Sequence, residues 1–315
     1  MTDTPARIPV ILDCDPGHDD ALAITLALAR PELDVLGITT IGGNSTLANT
    51  TRNALRVLAL LGRTDVPVAA GPDQPLVRPL ETAPQVHGVS GLDGADLPEP
   101  ASEPRPEGAL EFLRATLAAA PAPVTLIPVG PLTNIGLLLR TCPASAEKIA
   151  GISLMGGAMG AGNWTPAAEF NIWVDPEAAR IVFRSGLPIT MHGLDVTHKA
   201  LMGLPEADRL DAVGTRVGHV FADLLRFFTR FHVEKYGTDQ TPIHDAVAVA
   251  HVALPGLVTT RRYHVDVETT GDLTRGRTVV DDRGQPGEPP NVDVALDIDR
   301  AAFADLVIEA VASYR

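Results

Sequence analysis

Apolar runs of strand length alternate with helix-length segments through the first two thirds of the chain. The run RIPVILD is followed by DDALAITLALA, and LDVLGITTIGG is followed by STLANTTRNALRVLALLG. The alternation resumes with VTLIPVG, LTNIGLLLR, GISLMGG, DPEAARIVFRSG and LPITMHG. This pattern is typical of β-α-β units. It predicts an α/β fold with an open, mostly parallel, doubly wound (Rossmann-like) sheet, helices on both faces and an active site at the carboxyl ends of the strands.

A long segment from Gly71 to Gly108 interrupts the alternation and is rich in proline and glycine. Ordinary connections are shorter, so we predict that this segment is a lid or loop insertion in a single domain spanning residues 1–315. The spacing from about Leu204 to Tyr236 is helical. RTVVDDRGQPG predicts a hairpin or edge strand, and a final helix is expected at about Arg300 to Tyr314.

Composition narrows the classes of partner and location. The 315 residues are 45% apolar, and 39 acidic against 25 basic side chains give a formal charge of -14. This charge disfavours nucleic acid as a partner, although a local basic patch stays possible. The two cysteines cannot form a zinc cluster alone. The start MTDTPARIP resembles no signal peptide, and no apolar run approaches membrane-spanning length, so we expect a cytoplasmic protein without a membrane partner.

Polar residues follow each predicted strand at its carboxyl end. The first strand leads into four carboxylates, Asp13, Asp15, Asp19 and Asp20. Other strands lead into a second set, which contains Asn44, Thr133, Asn134, Asn163, Glu169, Asn171, His192 and Asp195. Because these strand ends share one edge of a parallel sheet, we expect the side chains to converge.

Four neighbouring carboxylates repel one another unless a cation or protons neutralise them. Oxygen ligands suit calcium or magnesium, and calcium accepts irregular mixtures of carboxylates, carbonyls and water. Zinc is disfavoured because its nitrogen and sulfur ligands are not clustered. A solvated loop at a helix N-terminus would explain Asp19 or Asp20, but not Asp13 and Asp15 at the end of an apolar strand.

An Asp-x-Asp pair after a first strand also occurs in haloacid dehalogenase-like phosphatases. Those enzymes have threonine or valine two residues after the pair and use a downstream lysine. Here Pro16 and Gly17 follow, and lysine occurs only at Lys148, Lys199 and Lys235. A phosphoryl site without a well-placed cation would be weak, which disfavours this class.

Five ordered blocks resemble the inosine-uridine preferring nucleoside hydrolases, which hydrolyse the N-glycosidic bond of ribonucleosides. The blocks are DCDPGHDDALA, ITTIGGN, VGPLTNI, the run from SLMGGA through GN to EFNIWVDPEAA, and a late HDA. They extend over almost the whole chain. The resemblance implies calcium-dependent release of ribose and a free base in purine or pyrimidine nucleoside catabolism or salvage. It also implies a homodimer or homotetramer.

The resemblance further implies roles for individual residues. Calcium would be held by the side chains of Asp15, Asp20 and Asp245 and by the backbone carbonyl of Val129. Asp15 would also be the general base for the attacking water. Five side chains would hold the ribose hydroxyls, namely Asp19, Asn44, Asn163, Glu169 and Asn171. Met155 would lie beneath the sugar ring. Such acceptors also suit the positive, oxocarbenium-like transition state.

Histidines near the nucleobase are a further expectation. Within TPIHDAVAV, His244 precedes the implied ligand Asp245, and the resemblance assigns the equivalent histidine as acid for the leaving base. A histidine at a helix start can instead have only a structural role. His87 in the predicted lid, Phe228 and His232 are candidate base contacts, although an exposed loop histidine and a plain apolar helix face would explain them too.

Three alternatives therefore stay open at the level of sequence. The base preference is undetermined, since we find neither the tyrosine and glutamine of pyrimidine-preferring members nor a lid tryptophan of purine-specific ones. The substrate could be another ribosyl compound, such as a modified nucleoside. The chain could also be a noncatalytic calcium- or ligand-binding protein, although a water-activating base and a leaving-group acid have little use in binding alone.

Overall fold

The computed structural model describes residues 6–285 and 287–314. Within these ranges the strands are β1 Ile8–Cys14, β2 Leu33–Thr40, β3 Val68–Ala70, β4 Val124–Pro128, β5 Ile149–Met155, β6 Ile189–His192, β7 Leu201–Gly203, β8 Gln240–Pro242, β9 Val258–Val267, β10 Thr278–Asp281 and β11 Val292–Ile298. The α-helices are α1 His18–Ala29, α2 Leu47–Leu60, α3 Pro84–His87, α4 Gly108–Ala119, α5 Thr133–Thr141, α6 Phe170–Val174, α7 Pro176–Phe183, α8 Leu194–Thr197, α9 Leu204–Asp211, α10 Arg216–Tyr236, α11 His244–Ala253 and α12 Arg300–Ala312.

Nine of the described strands form one sheet in the order β10-β9-β11-β6-β5-β4-β1-β2-β3. All neighbouring strands from β11 to β3 are parallel, and only β9 pairs antiparallel, with β11 and with β10. The prediction of an open, mostly parallel sheet is confirmed. The strands β7 and β8 form a separate antiparallel pair.

Two apolar clusters lie on the two faces of this sheet. One combines β1 with helices α1, α2, α10, α11 and α12, and the other combines β4 and β5 with α4, α5 and α7. Because β1 is an interior strand covered on both faces, Val10 and Leu12 pack into the first cluster and Ile11 into the second. Successive side chains of β1 therefore pack into the helix layers on opposite faces of the sheet. This packing fixes the position of the strand's carboxyl end.

Most predicted elements are present, with two differences in detail. The helical segment from Leu204 to Tyr236 is divided into α9 and α10, because Gly214 has a φ of 72° and Thr215 caps the new helix through Gly218 N–H. The Gly71 to Gly108 segment contains the short helix α3, otherwise consists of turns, bends and irregular chain, and ends at the first residue of α4. None of the described helices combines the length and apolar character needed to cross a membrane.

Candidate active site

The acidic loop joins β1 to α1 at the carboxyl edge of the sheet, and its carboxylates have different hydrogen-bond partners. Asp13, the last residue but one of β1, accepts hydrogen bonds at Oδ1 from Thr39 Oγ1 at 2.6 Å and from Asn134 Nδ2 at 2.7 Å. Thr39 lies near the carboxyl end of the neighbouring strand β2, and Asn134 lies in the first turn of α5. Asp13 is therefore directed into the protein and fixes the loop from behind.

Asp20 closes the first turn of α1. Its Oδ1 accepts from Asp15 N–H at 3.1 Å, and its Oδ2 accepts from Gly17 N–H at 2.9 Å and from Asn44 Nδ2 at 3.1 Å. These bonds satisfy backbone donors that a helix N-terminus leaves free. They also fix the path of the loop between the two carboxylates.

Hydrogen bonds satisfy only one of the two carboxylate oxygens of Asp15. Its Oδ2 accepts from Asn44 N–H at 2.6 Å, but its buried Oδ1 has no hydrogen-bond partner. Two glycines leave room for the side chain, since a Cβ at Gly43 would lie 2.1 Å from Oδ2 and one at Gly130 would lie 2.5 Å from Oδ1. A buried carboxylate oxygen without a donor is costly and is a natural position for a cation or a water molecule.

Three carboxylates from two helices meet beside Asp15. Ligand atoms of Asp19, Asp20 and Asp245 lie within 4.8 Å of one another, and all three residues are buried. Burial raises the pKa of Asp15 and Asp245 well above the usual range, and neighbouring carboxylates raise both pKa values further. Burial and the charge of Asp20 raise the pKa of Asp19 to about 8. The cluster thus resists carrying full negative charge without a compensating cation.

Acceptors and amides form the next part of the site. Asn171 Nδ2 donates to the backbone carbonyl of Val129 at 2.7 Å and to that of Met155 at 3.2 Å. Glu169 caps α6 and accepts from the backbone N–H groups of Asn171, Ile172 and Gly157. Burial raises the pKa of Glu169 to about 7, although these N–H groups oppose the shift.

The leaving-group candidate His244 begins α11. Its Nδ1 lies 2.8 Å from Thr197 Oγ1, and burial lowers its pKa well below the usual range. The ring is therefore neutral near pH 7. Since a threonine hydroxyl can donate to Nδ1, the neutral ring can keep its proton on Nε2.

A cavity of about 420 Å³ lies above these groups. Twelve of the predicted site residues line it, namely Asp19, Asn44, His87, Val129, Met155, Asn163, Glu169, Asn171, Phe228, His232, His244 and Asp245. Asp15 and Asp20 are not in its wall and lie directly behind it, next to Asn44. The structure therefore brings together residues that sequence analysis predicted from separate strand ends.

Sequence analysis missed several residues of the cavity. Trp164, which had no predicted function, lines the cavity wall. Its ring contacts that of Phe170 at an interplanar angle of 59°, and its Nε1 donates a hydrogen bond to Glu81 at 3.1 Å. Gln85 of α3 and Gln240 of β8 also line the wall. The sequence analysis had assigned no function to either glutamine. Their place in the cavity wall is visible only in the three-dimensional structure.

Comparisons with known proteins find similarity over nearly the whole chain. The family model described as inosine-uridine preferring nucleoside hydrolase matches residues 10–305. The pyrimidine-specific ribonucleoside hydrolase RihA of Citrobacter koseri is 53% identical over 308 residues, covering 98% of this chain and 99% of that protein. RihA of Escherichia coli is 52% identical with the same coverage.

Solved structures show the same architecture. A purine-preferring ribonucleoside hydrolase from Gardnerella vaginalis superposes with a TM-score of 0.91 at 33% identity, covering 97% of this chain and 98% of the other. The plant nucleoside hydrolase PpNRh1 superposes with a TM-score of 0.90 at 34% identity, covering 98% and 100%. The chain thus shares its fold with these two nucleoside hydrolases.

Proposed function

Because the chain belongs to the inosine-uridine preferring nucleoside hydrolase family and is a ribonucleoside hydrolase, we propose that it is calcium-dependent and acts on pyrimidine ribonucleosides, with Asp15 as the general base. The observation that carries the proposal is the unpartnered, buried Oδ1 of Asp15 beside the carboxylates of Asp19, Asp20 and Asp245. The base preference rests on the pyrimidine-specific relative at 53% identity.

The residues around Asp15 fit a calcium ion. Asp15, Asp20 and Asp245 would hold it through carboxylate oxygens, and Val129 would contribute its carbonyl, which Asn171 already orients at 2.7 Å. Every candidate donor is an oxygen, as calcium prefers, and calcium tolerates such irregular geometry better than magnesium. When bound, calcium would supply positive charge that binds ribose hydroxyls and lowers the pKa of a water molecule.

Asp15 would take the proton from the attacking water. The water oxygen bonds to the anomeric carbon of ribose, the bond to the base nitrogen breaks, and its electron pair leaves with the base. The Asn44 N–H at 2.6 Å holds Oδ2 in place, so Oδ1 is the oxygen available for the proton. Burial raises the pKa of Asp15, and a cation beside the carboxylate would keep it ionised until it accepts the proton.

The sugar would be bound along the floor of the cavity. Its hydroxyls would be held by five side chains, with Met155 beneath the ring; the five are Asp19, Asn44, Asn163, Glu169 and Asn171. As the bond to the base breaks, positive charge develops on the sugar, and the nearby carboxylates stabilise it electrostatically.

His244 would act on the leaving base. A neutral ring with its proton on Nε2 can donate to the base nitrogen as negative charge develops there, while the Thr197 hydroxyl at 2.8 Å from Nδ1 fixes the ring. His87, Phe228 and His232 would contact the base itself. The rings of Phe228 and His232 are edge-to-face, with centroids 5.4 Å apart, and form one side of that compartment.

We test the function by measuring reducing-sugar release from uridine, cytidine, inosine and adenosine, with and without a calcium chelator. The proposal requires that ribose is released from uridine and cytidine, that the chelator stops this release, and that added calcium restores it. Asp15→Asn should lower kcat by about 10²- to 10⁴-fold, the usual contribution of a general base, whereas the exposed control Asp297→Asn should not. Release only from other ribosyl compounds would change the substrate, and calcium binding without any turnover would favour the noncatalytic alternative.

Two further expectations accompany this proposal. Residues 1–315 would form one domain in which the Gly71 to Gly108 segment covers the site, and the enzyme would be a homodimer or homotetramer. Light scattering of the purified protein measures the assembly directly.

A further inference from the structure

One buried histidine at the site has no role in the mechanism described above. His18 begins α1, directly before Asp19, and is 2% exposed. We propose that His18 is a positioning residue that ties the lid segment, Gly71 to Gly108, to the acidic loop and orients His87 toward the substrate. The expected effect on catalysis rests on the proposed function. The structural half of the inference, that His18 tethers the lid segment, does not.

Both ring nitrogens of His18 contact the lid segment. Nε2 lies 2.8 Å from the carbonyl oxygen of Asp93, and Nδ1 lies 3.1 Å from Nδ1 of His87. Asp93 in turn caps the turn at Val89 and Ser90 by accepting their backbone N–H groups. A single side chain of the acidic loop therefore bonds both to the end of the short lid helix α3 and to the turn that follows it.

The His18 ring also stacks on helix α10. Its centroid lies 5.2 Å from those of Phe227 and Phe228, with interplanar angles of 6° and 7°, and 5.3 Å from that of His87. His87 stacks on Phe228 as well, at 5.4 Å. Three elements that border the cavity, namely the loop, the lid segment and α10, thus meet at one imidazole.

The contacts determine where the protons lie. A carbonyl oxygen only accepts, so His18 Nε2 carries a proton. In the neutral ring Nδ1 is then an acceptor, and His87 must donate to it from its own Nδ1. The backbone N–H of His18 approaches the same His87 nitrogen at 3.4 Å, which is the longer contact. The shorter one therefore sets the assignment.

This arrangement leaves His87 with an unprotonated Nε2. His87 lines the cavity, and no hydrogen bond to its Nε2 is found among the described residues. The group that it meets in the substrate must therefore be a donor, such as a ribose hydroxyl or an N–H of the base. Without His18, the ring could rotate or exchange its tautomer and lose this acceptor.

Three substitutions separate the two nitrogens of His18. His18→Phe keeps an aromatic ring for the stack and removes both bonds. His18→Asn keeps an acceptor near the Nδ1 position, whereas His18→Gln keeps a donor near the Nε2 position. His251→Phe, a half-buried histidine that does not line the cavity, is the matched control for the change of ring.

The kinetic test measures kcat/KM for uridine in these variants, alone and combined with His87→Ala. We expect His18→Phe and His18→Gln to lower kcat/KM about tenfold, the scale of one lost hydrogen bond. His18→Asn should retain most of it. In the His87→Ala background, His18→Phe should have less than a further twofold effect, because it acts through His87. Equal effects in both backgrounds would overturn the positioning role.

Hydrogen exchange of the lid segment tests the structural half without activity. Amides of residues 85–93 should exchange faster in His18→Phe than in the wild type or in His251→Phe. Unchanged exchange would refute the tether even in a fully active enzyme. If the wild type hydrolyses no ribonucleoside, the proposed function fails, while the exchange result still supports or refutes the tether.

Discussion

Removing the charge of Glu169 should change how stability depends on pH. Glu169 is 2% exposed, and burial raises its pKa from 4.5 to about 7, although hydrogen bonds from backbone N–H groups oppose the shift. Between these two values the folded protein keeps a proton that the unfolded chain has lost. The stabilisation is therefore fully present below pH 4.5 and is lost as pH rises through 7.

The size of this effect follows from the separation of the two pKa values. At about 1.4 kcal/mol per pH unit, a separation of about 2.5 units corresponds to about 3 kcal/mol of unfolding free energy. Glu169→Gln removes the ionisation but also weakens the cap of α6, because one of its two oxygens becomes an amide nitrogen. That second loss is independent of pH and amounts to about 1–2 kcal/mol.

Urea unfolding of wild type and Glu169→Gln at pH 5 and pH 8, with chelator present, measures both effects. We expect the variant to gain about 2.5 kcal/mol relative to wild type between these two pH values, less than the full effect because Glu169 of the unfolded chain is already mostly ionised at pH 5. Glu147→Gln, a change at an exposed position, controls for the loss of a surface charge. A difference between wild type and Glu169→Gln that is the same at both pH values would refute the reasoning.

Three further predictions concern the acidic loop and the leaving group. Gly43→Ala should nearly abolish ribose release, because the added Cβ would lie 2.1 Å from Asp15 Oδ2. The control Gly256→Ala, whose Cβ would have no atom within 4 Å, should leave the rate unchanged, and steady-state kinetics measure both variants. Calcium at a hundred times its dissociation constant should raise the unfolding free energy of chelator-treated protein by about 2.7 kcal/mol, measured by urea unfolding, and no change would contradict a resident calcium site. Thr197→Val should lower kcat about tenfold because His244 loses its partner at 2.8 Å, and Thr197→Ser should restore it; equal kcat values would exclude this role for the hydroxyl.

The sheet was predictable where burial is continuous along the chain. In the strand Ile8–Cys14 the residues from Val10 onward are buried on both faces, and the strand begins with an uninterrupted apolar run from Ile8 to Leu12. Sequence analysis did not predict the strand Val258–Val267, because exposed and half-buried residues such as Thr259, Arg261 and Arg262 interrupt its apolar pattern. That strand lies near the sheet edge and pairs antiparallel, where one face can meet water.

The site was predictable to the extent that it follows strand ends. Asn44 and Asn171 were expected beside the acidic loop because their positions follow neighbouring strands, and both contact it or its neighbours. The bond from His18 to Asp93 could not be expected, since it depends on how a long irregular segment folds back. Local sequence patterns contain no signal for such a contact.

The four carboxylates of the acidic loop differ in which oxygens the protein satisfies. Asp20 receives three donors and Asp13 receives two, so these side chains fix backbone and strand ends. Asp13 still has a bare Oδ2, but burial raises its pKa to about 7, so a proton can occupy that oxygen near neutral pH. Asp15 has the other bare oxygen, and burial raises the pKa of its carboxyl group, helped by the charges of Asp20 and Asp19. A loop built only to cap a helix would need no such oxygen, whereas a loop that binds a cation and activates water requires it.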